Sequence, residues 1–356
     1  MNVLTVVGNR PQFIKAAAVS GPLRRSHHEL LIHTGQHFDE RLSDVFFDEF
    51  GLPAPDRELG IARGSNSSQT ARMLAALEPV IAEAAPDAVL IYGDTNSTLA
   101  GALAGAQAGR PVVHVEAGMR SFDRTMPEEL NRVLADHASQ LLLCSSPTAV
   151  ANLEREGVRA PVELVGDVMI DVALRVQPRA RERLDLVLRH ELVPGEYVLA
   201  TVHRSGNVDH PERLRRLVEL LLAVPCRVAL PLHPRTHQRL RVAGLLERLQ
   251  RSQRLVLTPP LGYLELAALL CHARAVMTDS GGLQKEAYLA GVPCITLRPS
   301  TEWVETVELG WNVLVDLDAE AAVAALEREA PRERPPLYGD GHAAERAVDA
   351  LTLHLG

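Results

Sequence analysis

AVMTDSGGLQKEAYLAGVPCITLRPSTEW, residues 275–303, contains one full unit of an α/β fold. Ala275–Thr278 is a short apolar run, the form of a buried strand. Asp279-Ser280-Gly281-Gly282 is a turn, and Leu283–Ala290 is made of helix formers. Gly291-Val292-Pro293 stops that helix with glycine before proline, and Cys294–Leu297 is the next strand. A helix entered through a serine and two glycines offers free backbone N–H groups and the positive end of its dipole, and glycine lets a phosphate come close. Ser280, Gly281 and Gly282 are therefore candidate ligands for a nucleotide diphosphate. Glu286, one turn further on, is placed to accept from ribose hydroxyls. The same residues also fit a Ser-capped helix that binds nothing, so the rest of the chain has to decide.

The 356 residues suggest two domains. Hydrophobic residues make up 46% and charged residues 23%, the balance of a water-soluble globular chain. No apolar run approaches the roughly 18 residues of a membrane span. The first residues, MNVLTVVGNRP, lack the basic region and cleavage site of a signal peptide, so a cytoplasmic location is expected. A net charge of −8 and 4% aromatic residues argue against a nucleic-acid partner. Cys144, Cys226, Cys271 and Cys294 stand singly in apolar segments, without metal-ligand spacing, and read as buried thiols. Lysine occurs only at Lys15 and Lys285, both inside loop-to-helix segments, whereas arginine serves everywhere else.

From the start, Val3–Val7 is a strand, Gly8–Pro11 a turn and Gln12–Ser20 a helix, which places Arg10 and Lys15 where open α/β sheets bind ligands. Glu29–Thr34 is the second strand, followed by Gly35-Gln36-His37 and a helix over Asp39–Phe50. A helix over Ser67–Ala85, carrying Arg72, precedes the strand Ala88–Tyr92. Asp94 stands directly after that strand, and Glu116 directly after the strand Pro111–Val115. Glu128 and Glu129 open a further helix, where acids also serve as dipole partners. Acids crowded on one sheet edge have their proton affinities driven apart, which suits acid/base work.

Residues 1–170 make one doubly wound domain, and 171–194 read as the crossing to a second. In the second domain, 195–336, His203 follows the strand Tyr197–Thr201, and His233 follows Val228–Leu232. A histidine at a strand end titrates near neutral pH and would face the cleft between domains. Residues 337–356 form a last helix expected to pack back on the first domain.

GNRPQFIK (8–15), GDTNSTLA (93–100), HVEAGMRS (114–121), MPEELNR (126–132), HR..N (203–207), TDSGGLQKEA (278–287) and YGDG (338–341) together resemble the non-hydrolysing UDP-N-acetylglucosamine 2-epimerases. The resemblance runs in order over almost the whole chain. It implies two Rossmann-like doubly wound domains facing across a cleft, as in the GT-B glycosyltransferases. It also implies a homodimer and no metal or redox cofactor, and the lack of a long apolar run leads us to expect no membrane partner. The implied reaction inverts C2 of UDP-N-acetylglucosamine to UDP-N-acetylmannosamine, for cell-surface polysaccharide precursors. UDP leaves by anti-elimination, giving 2-acetamidoglucal, and then adds back. Carried over by motif, Asp94, Glu116, Glu128 and His203 are the acid/base and sugar-site residues. Arg10, Lys15, Ser280, Gly281, Gly282 and Glu286 hold the nucleotide. Which carboxylate takes the C2 proton stays open.

The chain departs from the family pattern at two places. His203-Arg204-Ser205-Gly206-Asn207 lacks a charged pair that bacterial members carry there. Thr301-Glu302-Trp303-Val304-Glu305 has tryptophan where many members have an arginine, with Arg298 as the substitute on the phosphate side. Gln36, His37, Arg72 and His233 lie in segments that match the activator site of some bacterial members. The segments 33–47 and 301–306 also resemble epimerases of UDP-2,3-diacetamido-2,3-dideoxyglucuronate. A GT-B glycosyltransferase would need an acceptor groove in place of the acids. A non-catalytic UDP-sugar sensor would bind without exchanging the C2 hydrogen.

Overall fold

The computed structural model describes residues 1–36 and 52–356, without the side chain of Arg10. His37 and the helix expected over Asp39–Phe50 lie outside the described residues. The chain divides into two compact units, Met1–Val172 with Pro336–Gly356, and Ala173–Pro335.

In the first unit the strands are β1 (Asn2–Val7), β2 (His28–His33), β3 (Arg57–Glu58), β4 (Ala88–Tyr92), β5 (Val112–Ala117), β6 (Leu141–Cys144) and β7 (Val162–Leu164). They form one sheet in the order β3-β2-β1-β4-β5-β6-β7, with parallel pairing throughout. β1, β4 and β6 are almost wholly apolar because helices cover both faces of a parallel sheet. β3 was not legible in the sequence: two charged, exposed residues at an edge carry no apolar alternation. The order reverses between β1 and β4, so the loops after these two strands diverge and open a crevice at their C-terminal ends. The last helix, Ala343–Leu355, packs on the helix Arg10–Ser26 of the same unit.

The second unit has β8 (Tyr197–Thr201), β9 (Arg227–Pro231), β10 (Leu255–Thr258), β11 (Ala275–Thr278), β12 (Cys294–Thr296) and β13 (Asn312–Leu314) in the order β10-β9-β8-β11-β12-β13, again parallel. Its reversal falls between β8 and β11. The helix Gly281–Ala290 ends on Gly291 in the left-handed conformation, with φ 74°, as the Gly-then-Pro stop requires. The boundary between the units falls inside the helix Val168–Glu182, so the segment 173–194 belongs to the second unit as helix and turn. No helix among the described residues is long and apolar enough to cross a membrane.

Candidate active site

In the first unit, candidate residues gather at the crevice beside β1, β4 and β5. Lys15 reaches from the helix after β1 to Glu116 at the end of β5, and the two form an ion pair with side chains 10% and 13% exposed. Between them runs Gly93, with φ 62°; a methyl there would lie 2.9 Å from Lys15 Nζ and 3.2 Å from Glu116 Oε2. The backbone angle favours glycine there, and an added side chain would have to push the ion pair aside.

Glu116 itself has φ 70°, in the left-handed region that a glutamate rarely adopts. The register between β5 and β6 shifts between Val115 and Ala117, so Glu116 is the extra residue of a β-bulge. Bulges re-aim side chains and cluster at active sites, where local strain is held by the surrounding structure. The sequence motif placed Glu116 at the strand end but carried no sign of the bulge.

Asp94 forms an ion pair with Arg132 of the helix Pro127–Ala138, and Asn131 Nδ2 donates 3.0 Å to the Asp94 carbonyl. Arg132 Nη1 also lies 3.3 Å from Glu129 Oε2. Of the two acids in that first helical turn, Glu129 is the buried one, and it accepts from Ser121 N, Ser121 Oγ and Phe122 N, each at 2.9 Å. Glu128 is exposed within its unit. Sequence spacing set both acids in one turn but did not say which faced inward. Gln36 Oε1 accepts from Ser97 N and Ser97 Oγ at 3.1 and 2.7 Å. Arg72 is exposed and donates from Nε to Ser68 O at 3.2 Å.

In the second unit, the loop after β8 and the loop after β11 meet. Asp279 is fully buried and accepts from the backbone N–H groups of His203 (3.1 Å) and Arg204 (3.0 Å) and from Asn207 Nδ2 (3.0 Å). It ties the His203 loop to the Ser-Gly-Gly turn, a role hidden in the sequence because aspartate is an ordinary turn residue. His203 Nδ1 lies 3.5 Å from Asp279 Oδ1, and its ring packs at a tilt against that of His233, 5.5 Å between centroids. Ser280 is the N-cap residue of the helix Gly281–Ala290 but makes no side-chain cap bond, which leaves the first-turn N–H groups of this helix to another acceptor.

Glu286, on the same helix, accepts 3.0 Å from the hydroxyl of Tyr263, and both are buried. Arg298 makes a two-point ion pair with Glu302 at 2.9 and 2.9 Å, and Arg204 lies 4.0 Å from the same carboxylate. A methyl on Gly281 would meet Trp303 Nε1 at 3.3 Å, Arg204 Nη2 at 3.8 Å and Glu302 Oε2 at 3.8 Å, so these side chains surround the helix start. Burial would push the Glu302 carboxyl up, but Arg298 and Arg204 hold it down at about 2. The second lysine, Lys285, is 2% exposed and lies over the Trp303 ring at 4.0 Å.

The candidate groups thus lie in two parallel α/β units, paired acids and cations at the switch point of one, and a serine–glycine helix start beside two arginines in the other. The family model described as UDP-N-acetylglucosamine 2-epimerase matches residues 23–352. A UDP-N-acetylglucosamine 2-epimerase homolog of Methanococcus maripaludis is 44% identical, with 99% of each chain covered. The UDP-2,3-diacetamido-2,3-dideoxy-D-glucuronate 2-epimerase of Pseudomonas aeruginosa is also 44% identical, with 99% of each covered. The crystal structure of Methanocaldococcus jannaschii UDP-GlcNAc 2-epimerase, in complex with UDP-GlcNAc and UDP, superposes with a TM-score of 0.93 at 38% identity, covering 99% of this chain and 100% of that one. The chain belongs to the UDP-N-acetylglucosamine 2-epimerase family, and it is an isomerase with the two-domain, GT-B-like α/β fold expected from its motifs.

Proposed function

We propose that this enzyme interconverts UDP-N-acetylglucosamine and UDP-N-acetylmannosamine by eliminating and re-adding UDP. The observation that carries the proposal is the setting of Glu116 with Lys15 and Asp94 with Arg132 on one sheet edge, two carboxylates each held by a cation. A C2 hydrogen of the sugar is barely acidic, so its removal has to be coupled to departure of a good leaving group. The C2–H electrons become the C1=C2 bond of 2-acetamidoglucal, and the C1–O electrons leave with the diphosphate. On return, a diphosphate oxygen bonds to C1 and C2 receives a proton on its other face. Two faces require proton-carrying groups on two sides, and Asp94, Glu116, Glu128 and His203 are the groups we assign to that work.

The departing diphosphate carries charge that backbone N–H groups and arginines stabilise best. We assign it to Arg10, Ser280, Gly281, Gly282 and Arg298, with Lys15 also on the nucleotide and the ribose on Glu286. The ligands in the M. jannaschii complex support a UDP-sugar at this kind of site. We extend the same reading to a homodimer without metal or redox cofactor.

A second substrate, UDP-2,3-diacetamido-2,3-dideoxyglucuronate, is favoured by one observation: the P. aeruginosa enzyme of that specificity is as similar to this chain as the M. maripaludis homolog. Product formation from each UDP-sugar, followed separately by NMR, tests the choice. The faster substrate is the physiological one, and no product from either would overturn the proposal.

A further inference from the structure

We propose that His114 is a positioning residue for the epimerisation, gripping the backbone beside Asp94 and Glu116 as a ring protonated on both nitrogens. The proposal rests on Asp94 and Glu116 being the acid/base groups.

His114 lies in the middle of β5 and is completely buried. Its Nδ1 is 2.6 Å from Asp136 Oδ1 and its Nε2 is 2.7 Å from the Gly93 carbonyl oxygen. A carbonyl can only accept. Asp136 already accepts from Gly118 N at 3.1 Å and pairs with Arg120 Nη1 at 2.7 Å. A neutral imidazole has one N–H, so one of the two short contacts would set lone pair against lone pair. A ring that donates twice satisfies both.

Charge balance agrees. Asp136 and Glu156 are the acids of the cluster, and Arg120, which donates twice to Glu156 at 2.7 Å, is its permanent cation among the described residues. A second positive charge on His114 offsets the fully buried Asp136, while Glu156 lies at the partly exposed end of the network. Burial would raise the Asp136 carboxyl, yet His114 and Arg120 hold it below the usual range. The other titratable groups facing this region are His137, which acts on Glu156, Cys144, beside Asp136 and Arg120, and Lys15 and Glu116 on the far side of Gly93.

The network therefore has two grips. His114 holds the carbonyl of Gly93, the residue before Asp94. Asp136 holds the N–H of Gly118, two residues beyond Glu116, whose left-handed backbone needs such support.

Nitrogen NMR of the native protein with labelled histidine tests the ring directly at neutral pH. Two proton-bearing nitrogens on His114 are expected, and one bare nitrogen would overturn the proposal whether or not the enzyme epimerises UDP-sugars. Kinetics test the role. His114→Gln and Asp136→Asn are expected to lower kcat by about 10- to 100-fold with KM nearly unchanged. A folded variant with full kcat, or one that loses only KM, would contradict it. If neither variant folds, the NMR result on the native chain decides.

Discussion

Lys15 and Glu116 form a buried ion pair across Gly93, joining the helix after β1 to the bulged end of β5. A chain that uses lysine only twice has placed both in buried positions. The pair is expected to serve chemistry and stability together. Glu116→Gln should cut turnover by about 100-fold or more, if Glu116 moves a proton in the transition state. Lys15→Met should lower stability, because it removes the cation that pairs with a mostly buried carboxylate. Combining the two should restore stability and not turnover. Thermal unfolding and a product assay on the three variants separate the effects; a Glu116→Gln enzyme of normal rate would remove Glu116 from the acid/base set.

Glu286, proposed to hold the ribose, accepts from the Tyr263 hydroxyl, so Tyr263 would position it. Tyr263→Phe should weaken UDP binding by roughly 3- to 10-fold, the worth of one hydrogen bond to a charged acceptor. It should leave binding of the 2′,3′-dideoxy nucleotide unaltered, since that ligand offers Glu286 nothing to read. Calorimetry with both nucleotides checks this, and an equal loss for the two would place Tyr263 outside ribose recognition.

Much of this was legible in the sequence, and the limits have physical causes. Strand ends announce themselves, because an apolar run stops at a polar residue; hence Asp94, Glu116, His203 and Ser280 stood out. Partners drawn from other elements did not. Arg132 and Asp136 belong to a helix whose inward face is set by packing on β5 and on the helix Asn96–Gln107, and Asp279 looks like any turn aspartate until His203 is folded against it. The left-handed Glu116 lies further out of reach, since nothing in its residue type favours that backbone.

Trp303 stands where many members of the family pattern have an arginine. Its ring supports the ammonium of Lys285 at 4.0 Å and its indole nitrogen borders the Gly281 position. Trp303→Arg would press a guanidinium against a buried ammonium, and it should lower the Tm and change both UDP affinity and sugar preference. Trp303→Phe keeps an aromatic face and should be milder, with a difference from Trp303→Arg of at least about 1 kcal/mol in stability. Unchanged sugar preference and UDP affinity in a folded Trp303→Arg enzyme would show that the position has no part in the site.

Glu302 gives a pH prediction. Its carboxyl is held at about 2 in the folded protein against an ordinary value of 4.5. Stability from this group is thus complete above the unfolded value and is lost as pH falls from about 4.5 toward 2, by an amount on the order of 3 kcal/mol. Glu302→Gln should flatten that part of the stability curve. Urea unfolding at a series of acid pH values reads the difference; parallel curves for the two proteins would mean that Arg298 gives Glu302 no net stabilisation.

The central claim is that C2 of a bound UDP-sugar loses its hydrogen while UDP leaves from C1. NMR of UDP-N-acetylglucosamine, and separately of UDP-2,3-diacetamido-2,3-dideoxyglucuronate, incubated with the enzyme in D2O tests it most directly. Deuterium should enter C2 of one of them as the epimer forms, with slow release of UDP and the glycal, and Asp94→Asn should slow that entry by about 100-fold. Binding of both sugars with no deuterium at C2 of either would contradict it.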